Sequence, residues 1–254
     1  MHKLLWALVL GYMLPGVSLI RRVEDNRARQ NVHSLVVHGS FTLTGDAAQA
    51  LAEKLGKVVL GGELSVPAVA TYKYPGRCRL DLVTAPSSPD AGAPAVSAPH
   101  PFASSRNGVI SSSPDMKDAA LLLQLACPLL SSRGDEGEAA RLIEHLRTQG
   151  VDFDVTSLAR DENTIAEVVG AGPRELLKPQ IWVDKTEFVP LRLILKSGGA
   201  FYDVRFDPGV GMLDPHPRTV TILKMGGADQ PEQLLARFNA EKMEPNAKVD
   251  EKQF

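Results

Sequence analysis

Leu35-Val36-Val37-His38-Gly39-Ser40-Phe41-Thr42-Leu43 is the stretch on which the fold turns. Its odd positions are Leu35, Val37, Gly39, Phe41 and Leu43; the even ones are Val36, His38, Ser40 and Thr42. A strand sends successive side chains to opposite faces, so this is a half-buried strand with one greasy face. Such a strand needs neighbours, and the same period recurs outward from it. Positions 64–74 put Leu64, Val66, Ala68, Ala70 and Tyr72 on one face, with Pro67 arguing for an edge or a bulge. Positions 77–83 alternate Cys78, Leu80 and Leu82 with Arg77, Arg79 and Asp81. Between the first two strands, Asp46 is placed to cap an Ala-rich helix that runs to Leu55.

The alternation returns in the second half. Strands are expected at 164–169, 179–183, 188–196, 201–206, 218–224 and 233–243. Leu191, Leu193 and Leu195 share a face, as do Tyr202, Val204 and Phe206, and Leu234, Ala236, Phe238 and Ala240. One apolar and one polar face per strand means an antiparallel sheet that is wet on one side and covered on the other. Gly39, Ala68, Ala70 and Ala236 are small enough to leave room on the covered face, or to let a helix pack closely there. The tail 244–254 is polar and reads as loose.

The cover is the helical middle. The run LLLQLACPLL within 116–130 is apolar nearly all round. Such a helix needs partners on both sides or a ligand on one. Pro128 should kink or end it. A more ordinary amphipathic helix follows at 136–149, with Ala139, Leu142, Ile143 and Leu146 on one side. Segment 20–30 reads as a short surface helix, and the Pro/Ala/Ser-rich stretch 84–105 as a flexible loop. The expected fold class is α+β: a curved antiparallel sheet of about eight or more strands with helices on its concave face, the lid being 115–149.

The chain has 254 residues, 44% of them hydrophobic, which suffices for one large domain. A net charge of −2 offers no basic excess for phosphates, so no nucleic-acid partner is expected. Two cysteines exclude a disulfide scaffold and a Cys-rich zinc site; Cys78 and Cys127 either pair or remain separate buried thiols. The six histidines show no HxxxH or HExxH spacing, and no nucleophile elbow or phosphate-binding loop is present. Gly209-Val210-Gly211 has no helix after it, and Asp184, Glu187 and Asp203 read as turn or outward carboxylates. The expectation is a protein that is not an enzyme and carries no metal and no cofactor. At the N-terminus, Lys3 precedes the apolar stretch LLWALVLGYMLP, and Gly16-Val17-Ser18 offers a small-x-small site. Residues 1–18 therefore read as a signal peptide cleaved after Ser18, the alternative being a buried N-terminal helix. The mature chain, 19–254, is then one exported domain.

The order of elements resembles the LolA/LolB-like superfamily of periplasmic lipoprotein carriers. The likeness is carried by Ser34-Leu35 with Ser40-Phe41, by Gly62-Glu63-Leu64-Ser65-Val66, and by Lys73-Tyr74-Pro75. Its most specific piece is Ile181-Trp182-Val183-Asp184-Lys185-Thr186-Glu187-Phe188-Val189-Pro190-Leu191-Arg192, close to a hairpin of lipoprotein-sorting relatives. The resemblance implies an incomplete, open β-barrel whose helical lid closes over acyl chains of a lipoprotein or a similar lipid, carried towards the outer membrane. It also implies an inner-membrane export machinery and an outer-membrane acceptor as partners. The cavity would be lined by Leu35, Val37, Phe41, Val66, Ala68, Ala70, Leu80, Leu122, Leu125, Leu129, Leu191, Leu193, Val204, Val220 and Phe238. In the best-studied carriers an Arg before the hairpin Pro latches the lid. Tyr74 stands there in this sequence, which leaves Arg77 and Arg79 as latch candidates. The competing reading is a periplasmic sensor or scaffold that engages another envelope protein without carrying lipid.

Overall fold

The computed structural model describes residues 13–83, 101–113, 116–132, 134, 136–207, 216–226 and 231–254. The expected signal segment therefore lies mostly outside the described residues, as does most of the Pro/Ala/Ser-rich loop. The strands are β1 (Ser34–Thr44), β2 (Glu63–Lys73), β3 (Arg77–Leu82), β4 (Phe102–Arg106), β5 (Val109–Ser112), β6 (Thr156–Asp161), β7 (Thr164–Val169), β8 (Gln180–Asp184), β9 (Pro190–Ser197), β10 (Ala200–Asp207), β11 (Thr219–Lys224) and β12 (Gln233–Pro245). The helices are α1 (Gly16–Gln30), α2 (Gly45–Leu55), α3 (Lys117–Leu130) and α4 (Glu136–Thr148), with a 3-10 turn at Glu251–Gln253.

All twelve strands form one antiparallel sheet in the order β5-β4-β3-β2-β1-β12-β11-β10-β9-β8-β7-β6. The chain thus makes two meanders, joined in the middle where β1 pairs β12. The sheet is open: β5 and β6 are its free edges. These are the two strands that flank α3 and α4 in sequence, so the connection between them must cross the gap that the sheet leaves open. Leu122, Leu125 and Leu129 share one core with the inward side chains of β1, β2 and β3, which places the helical segment over the concave face.

Register carries the expected greasy face across the sheet. Phe41 stands opposite Val66 on one side and Phe238 on the other, and Val220 follows in β11. Leu80 and Cys78 extend the row outward, facing Ala70 and Tyr72. In the other meander Val204 pairs Ile222 and Leu193, and Leu193 pairs Ile181. These residues form one core with Leu19, Ile20 and Val23 of α1, Leu51 of α2 and Leu122, Leu125 and Leu129 of α3. Burial of each such side chain contributes about 1.5–3 kcal/mol, which is why the apolar stripes decide the layering. A bulge lies between His38 and Gly39. A Cβ at Gly39 would sit 1.9 Å from the Asn239 carbonyl oxygen, so only glycine fits there.

Several expectations need correction. Pro67 is not on an edge strand, since β2 lies between β1 and β3. Its carbonyl accepts from Val83 N at 2.8 Å, so its missing donor faces the β3 side just where β3 ends at Leu82. Segment 84–105 is not all loop, because β4 begins at Phe102. Asp46 does not cap α2; Thr44 holds the cap position and Asp46 sits in the first turn. Helix α1 is no surface helix: Leu19, Ile20 and Val23 are fully buried. It begins at Gly16 and presses on the segment before α4, where a Cβ at Gly134 (φ +83) would lie 2.3 Å from Ala28 N and Glu24 O. Pro128 lies inside α3, which runs on to Leu130. The tail is docked: Glu251 meets Lys73 at 2.7 Å and Arg77 at 3.2 Å.

The outer face is not uniformly wet either. Around β7–β9, Ala166, Val168, Trp182 and Leu191 make a second buried cluster, packed by Leu176 from the connection that folds back over it. Trp182 donates to Gln180 at 2.8 Å, and Gln180 in turn donates to the Glu175 carbonyl. Arg192 stacks on Trp182 and grips Asp203 with two bonds, 2.7 and 2.6 Å. Asp203, read from sequence as an outward strand carboxylate, is fully buried, and Arg205 bonds it as well.

Candidate functional site

A cavity of about 490 Å³ lies where the lid meets the open side of the sheet. Its position follows from the topology just described. The β2–β3 turn (Pro75, Gly76) and the β4–β5 turn (Asn107, Gly108) form one wall, and Leu195 and Ser197 of β9 form part of another. Helices α3 and α4 run between them, presenting Gln124, Leu125, Pro128, Glu138, Arg141, Leu142, His145 and Gln149. The three polar positions of α4, Glu138, Arg141 and His145, recur every three or four residues, which puts them on one helical stripe that Gln149 extends just past the helix end.

The lining is mixed in character. Leu125, Leu142 and Leu195 are nearly fully buried and make its apolar part. Arg141 Nη2 lies 2.6 Å from Glu138 Oε1, the guanidinium exposed and the carboxylate buried. Burial lowers the pKa of His145, so its imidazole is uncharged near neutral pH. The charged side chains that line the cavity therefore sum to about zero.

The lid is held beside this cavity by three ties at the C-terminal end of α3. Cys78 of β3 and Cys127 of α3 form a disulfide, with Cα atoms 6.0 Å apart. Gly76 N donates to Ser131 O at 3.1 Å. Ser132 Oγ donates to the buried Glu24 carboxylate of α1, which also pairs Arg27 at 3.0 Å. Tyr74, at the position of the implied latch, is held up to about 12 by burial, with the Arg27 charge opposing that shift and Glu24 adding to it. Arg77 and Arg79 do not reach the lid in these contacts: Arg77 pairs Glu251, while Arg79 pairs Asp81, bonds Gln253 O and stacks on Phe102.

Deeper in the bowl, Tyr72 O–H donates to His216 Nε2 at 2.8 Å, and His216 Nδ1 donates to Pro217 O at 2.6 Å. Burial lowers His216 to about 4 and raises Tyr72. The pair struts the concave core between β2 and the β10–β11 connection.

Of the fifteen lining residues named from sequence, the structure gathers fourteen in the main core and places Leu191 in the outer cluster. The bulge between Trp182 and Val183 shifts the register there and takes Leu191 out of line with Leu193 and Leu195. Only Leu125 of the fifteen borders the cavity. The small residues Ala68, Ala70 and Ala236 are 2% exposed or less, so the room they leave is filled by the packed core. The α4 stripe was missed because a polar stripe on an amphipathic helix reads as its solvent face. Among the described residues, no group of three or more His, Cys, Asp or Glu side chains is gathered for a metal, and no helix is long and apolar enough to cross a membrane.

These features define an open-barrel protein with a helical lid over its concave face. No family model and no curated protein matches the sequence. Among solved structures, the chain is similar in fold to a LolA superfamily protein from Nitrosomonas europaea, at 9% identity over 95% of this chain and 98% of that one, TM-score 0.46. It is also similar to an outer membrane lipoprotein-sorting protein domain from Vibrio parahaemolyticus, at 11% identity over 92% and 94%, TM-score 0.43. A DUF1329 family protein from Desulfovibrio piger shares 8% identity over 92% and 93%, TM-score 0.44.

Proposed function

We propose that this chain is a periplasmic carrier that holds an acyl chain of a lipoprotein, or a similar lipid, beneath its helical lid and delivers it towards the outer membrane. The observation that carries this reading is the cavity of about 490 Å³ bordered by both lid helices and by turns of the open sheet. Sites of roughly 300–1,000 Å³ at such junctions take one small ligand. Each methylene buried there contributes about 0.8 kcal/mol, so one 16-carbon chain is worth about 12 kcal/mol. A carrier must also release its cargo. Displacing a lid tied at the end of α3 costs free energy and offsets part of that gain.

Export is part of the same reading. The pattern of residues 1–18 supports it, and so does the Cys78–Cys127 disulfide, since such bonds persist in oxidising compartments. Helix α1 starts at Gly16, so cleavage after Ser18 would leave Leu19 at its head. N-terminal sequencing of protein recovered from the periplasm should read Leu19 first; an intact Met1 removes the export reading. Native mass spectrometry of protein purified from membranes should show a lipid adduct, and a fluorescent fatty acid should be taken up with a blue-shifted emission. A dry protein with neither signal removes the carrier reading.

A further inference from the structure

The cavity is small, half-open and electrically balanced, and these properties together select a cargo. At about 490 Å³ it lies in the lower half of the range that holds a single drug-sized ligand. One alkyl chain with a compact head fills it; three chains of a fully acylated lipoprotein exceed it. Among the described residues, the inward side chains of β1, β2 and α3 are packed against one another.

The walls then choose the head. Leu125, Leu142 and Leu195 suit the chain. The same lining carries Glu138 and Arg141, a carboxylate and a guanidinium already 2.6 Å apart. His145 beside them adds no charge near neutral pH. A bare carboxylate or a phosphate monoester would find one guanidinium already answered by a carboxylate, and would be repelled by Glu138. A head with both signs of charge, or with hydroxyls, matches the pair without leaving either partner unanswered.

We infer that the cavity takes one single-chain amphiphile whose head is net neutral and rich in hydrogen-bonding groups, the monoacyl zwitterionic phospholipids being its best fit. This rests on the lipid-carrier reading and narrows its cargo. The Glu138–Arg141 pair positions the head, and Gln149 and Gln124, also in the lining, supply neutral donors and acceptors.

The test is isothermal titration of the full chain with three probes below their micellar concentrations, with stoichiometry read by native mass spectrometry. The probes are a 16-carbon lysophosphatidylethanolamine, palmitate and a triacylated lipopeptide. The lysophospholipid should bind one to one, about tenfold more tightly than palmitate, and the lipopeptide should not bind measurably. Glu138→Gln, which keeps the shape and removes the charge that repels an anion, should free the Arg141 guanidinium for palmitate and so remove the preference over it. Leu142→Trp should abolish uptake of all single-chain probes by filling the cavity. Palmitate binding equal to or better than the lysophospholipid, or tight binding of the lipopeptide, overturns the inference and leaves the carrier reading standing. Failure of all three probes removes both.

Discussion

The two meanders of the sheet are fastened in different ways. The first, β1 to β5, carries its lid covalently: the Cys78–Cys127 bond ties β3 to α3, and the outer faces of its strands are mostly half-exposed, with Thr42, Thr71 and Ser104 buried. The second, β6 to β12, has no such bond. Its cohesion comes from a buried ion pair and from a covered outer face, where Arg192, Asp203 and Trp182 interlock. The contrast teaches where motion can occur. The α3 end of the lid is fixed to the first meander, so on the carrier reading opening comes from α4.

The largest effect should come from breaking the covalent side. A bond closing a loop across a separation of 49 residues stabilises by about 4 kcal/mol on the chain-entropy model. Cys78→Ser with Cys127→Ser should lower the urea midpoint accordingly and should speed uptake of a fluorescent fatty acid. If uptake is unchanged, α3 is not part of the gate and the contrast fails. On the other side, Asp203→Ala leaves the buried Arg192 guanidinium without its bidentate partner and should cost about 3 kcal/mol. Because this damage lies on the outer face, it should leave the rate of probe uptake alone; a faster rate would mean that the second meander also gates the cavity.

Acid sharpens the comparison from the inside. His216 is neutral in the folded chain down to about pH 4, whereas an unfolded histidine protonates near 6.5. Between those values the unfolded state binds the extra proton, so stability is full above about pH 6.5 and falls as pH drops towards 4. The loss should approach 3 kcal/mol, read from urea midpoints at pH 7 and pH 4. His145 shifts in the same direction and adds to the fall. A His216→Phe variant should flatten most of that pH dependence; if it does not, the strut between β2 and the β10–β11 connection is not what acid breaks. The smallest effect is expected at the tail. Glu251→Ala removes pairs to Lys73 and Arg77 whose partners are partly exposed, and should cost less than about 1 kcal/mol.

Long alternating strands were legible because a strict period over nine or more residues has one cheap solution. β1, β2 and β12 are of this kind, and together they fixed the greasy face. The strands β4, β5 and β6 were not legible. β4 reads Phe-Ala-Ser-Ser-Arg, with Ser104 and Ser105 buried, so no apolar period announces it. The hairpin around Trp182 was placed correctly, yet its bulge reversed the side of Leu191, and a one-residue slip cannot be seen in hydropathy. The conspicuous residues of that hairpin serve structure: Asp184 accepts from Thr186 N and Glu187 N in the turn, and Arg192 holds Asp203. The cavity escaped the reading for another reason. It is built from turns and from one polar helical stripe, brought together only by the path of α3 and α4 between the two free edges.

The seam at β1 and β12 has a consequence for how the molecule is made. Leu35 pairs with Pro245 and Leu43 with Ala236, so the centre of the sheet joins residues about two hundred positions apart. Contacts this remote slow folding, and β1 leaves the ribosome about two hundred residues before its partner β12. Until then the nascent polypeptide has no closed core to commit to. A chain that still lacks β12 has two half-sheets and no seam between them, so it stays pliable until that strand arrives.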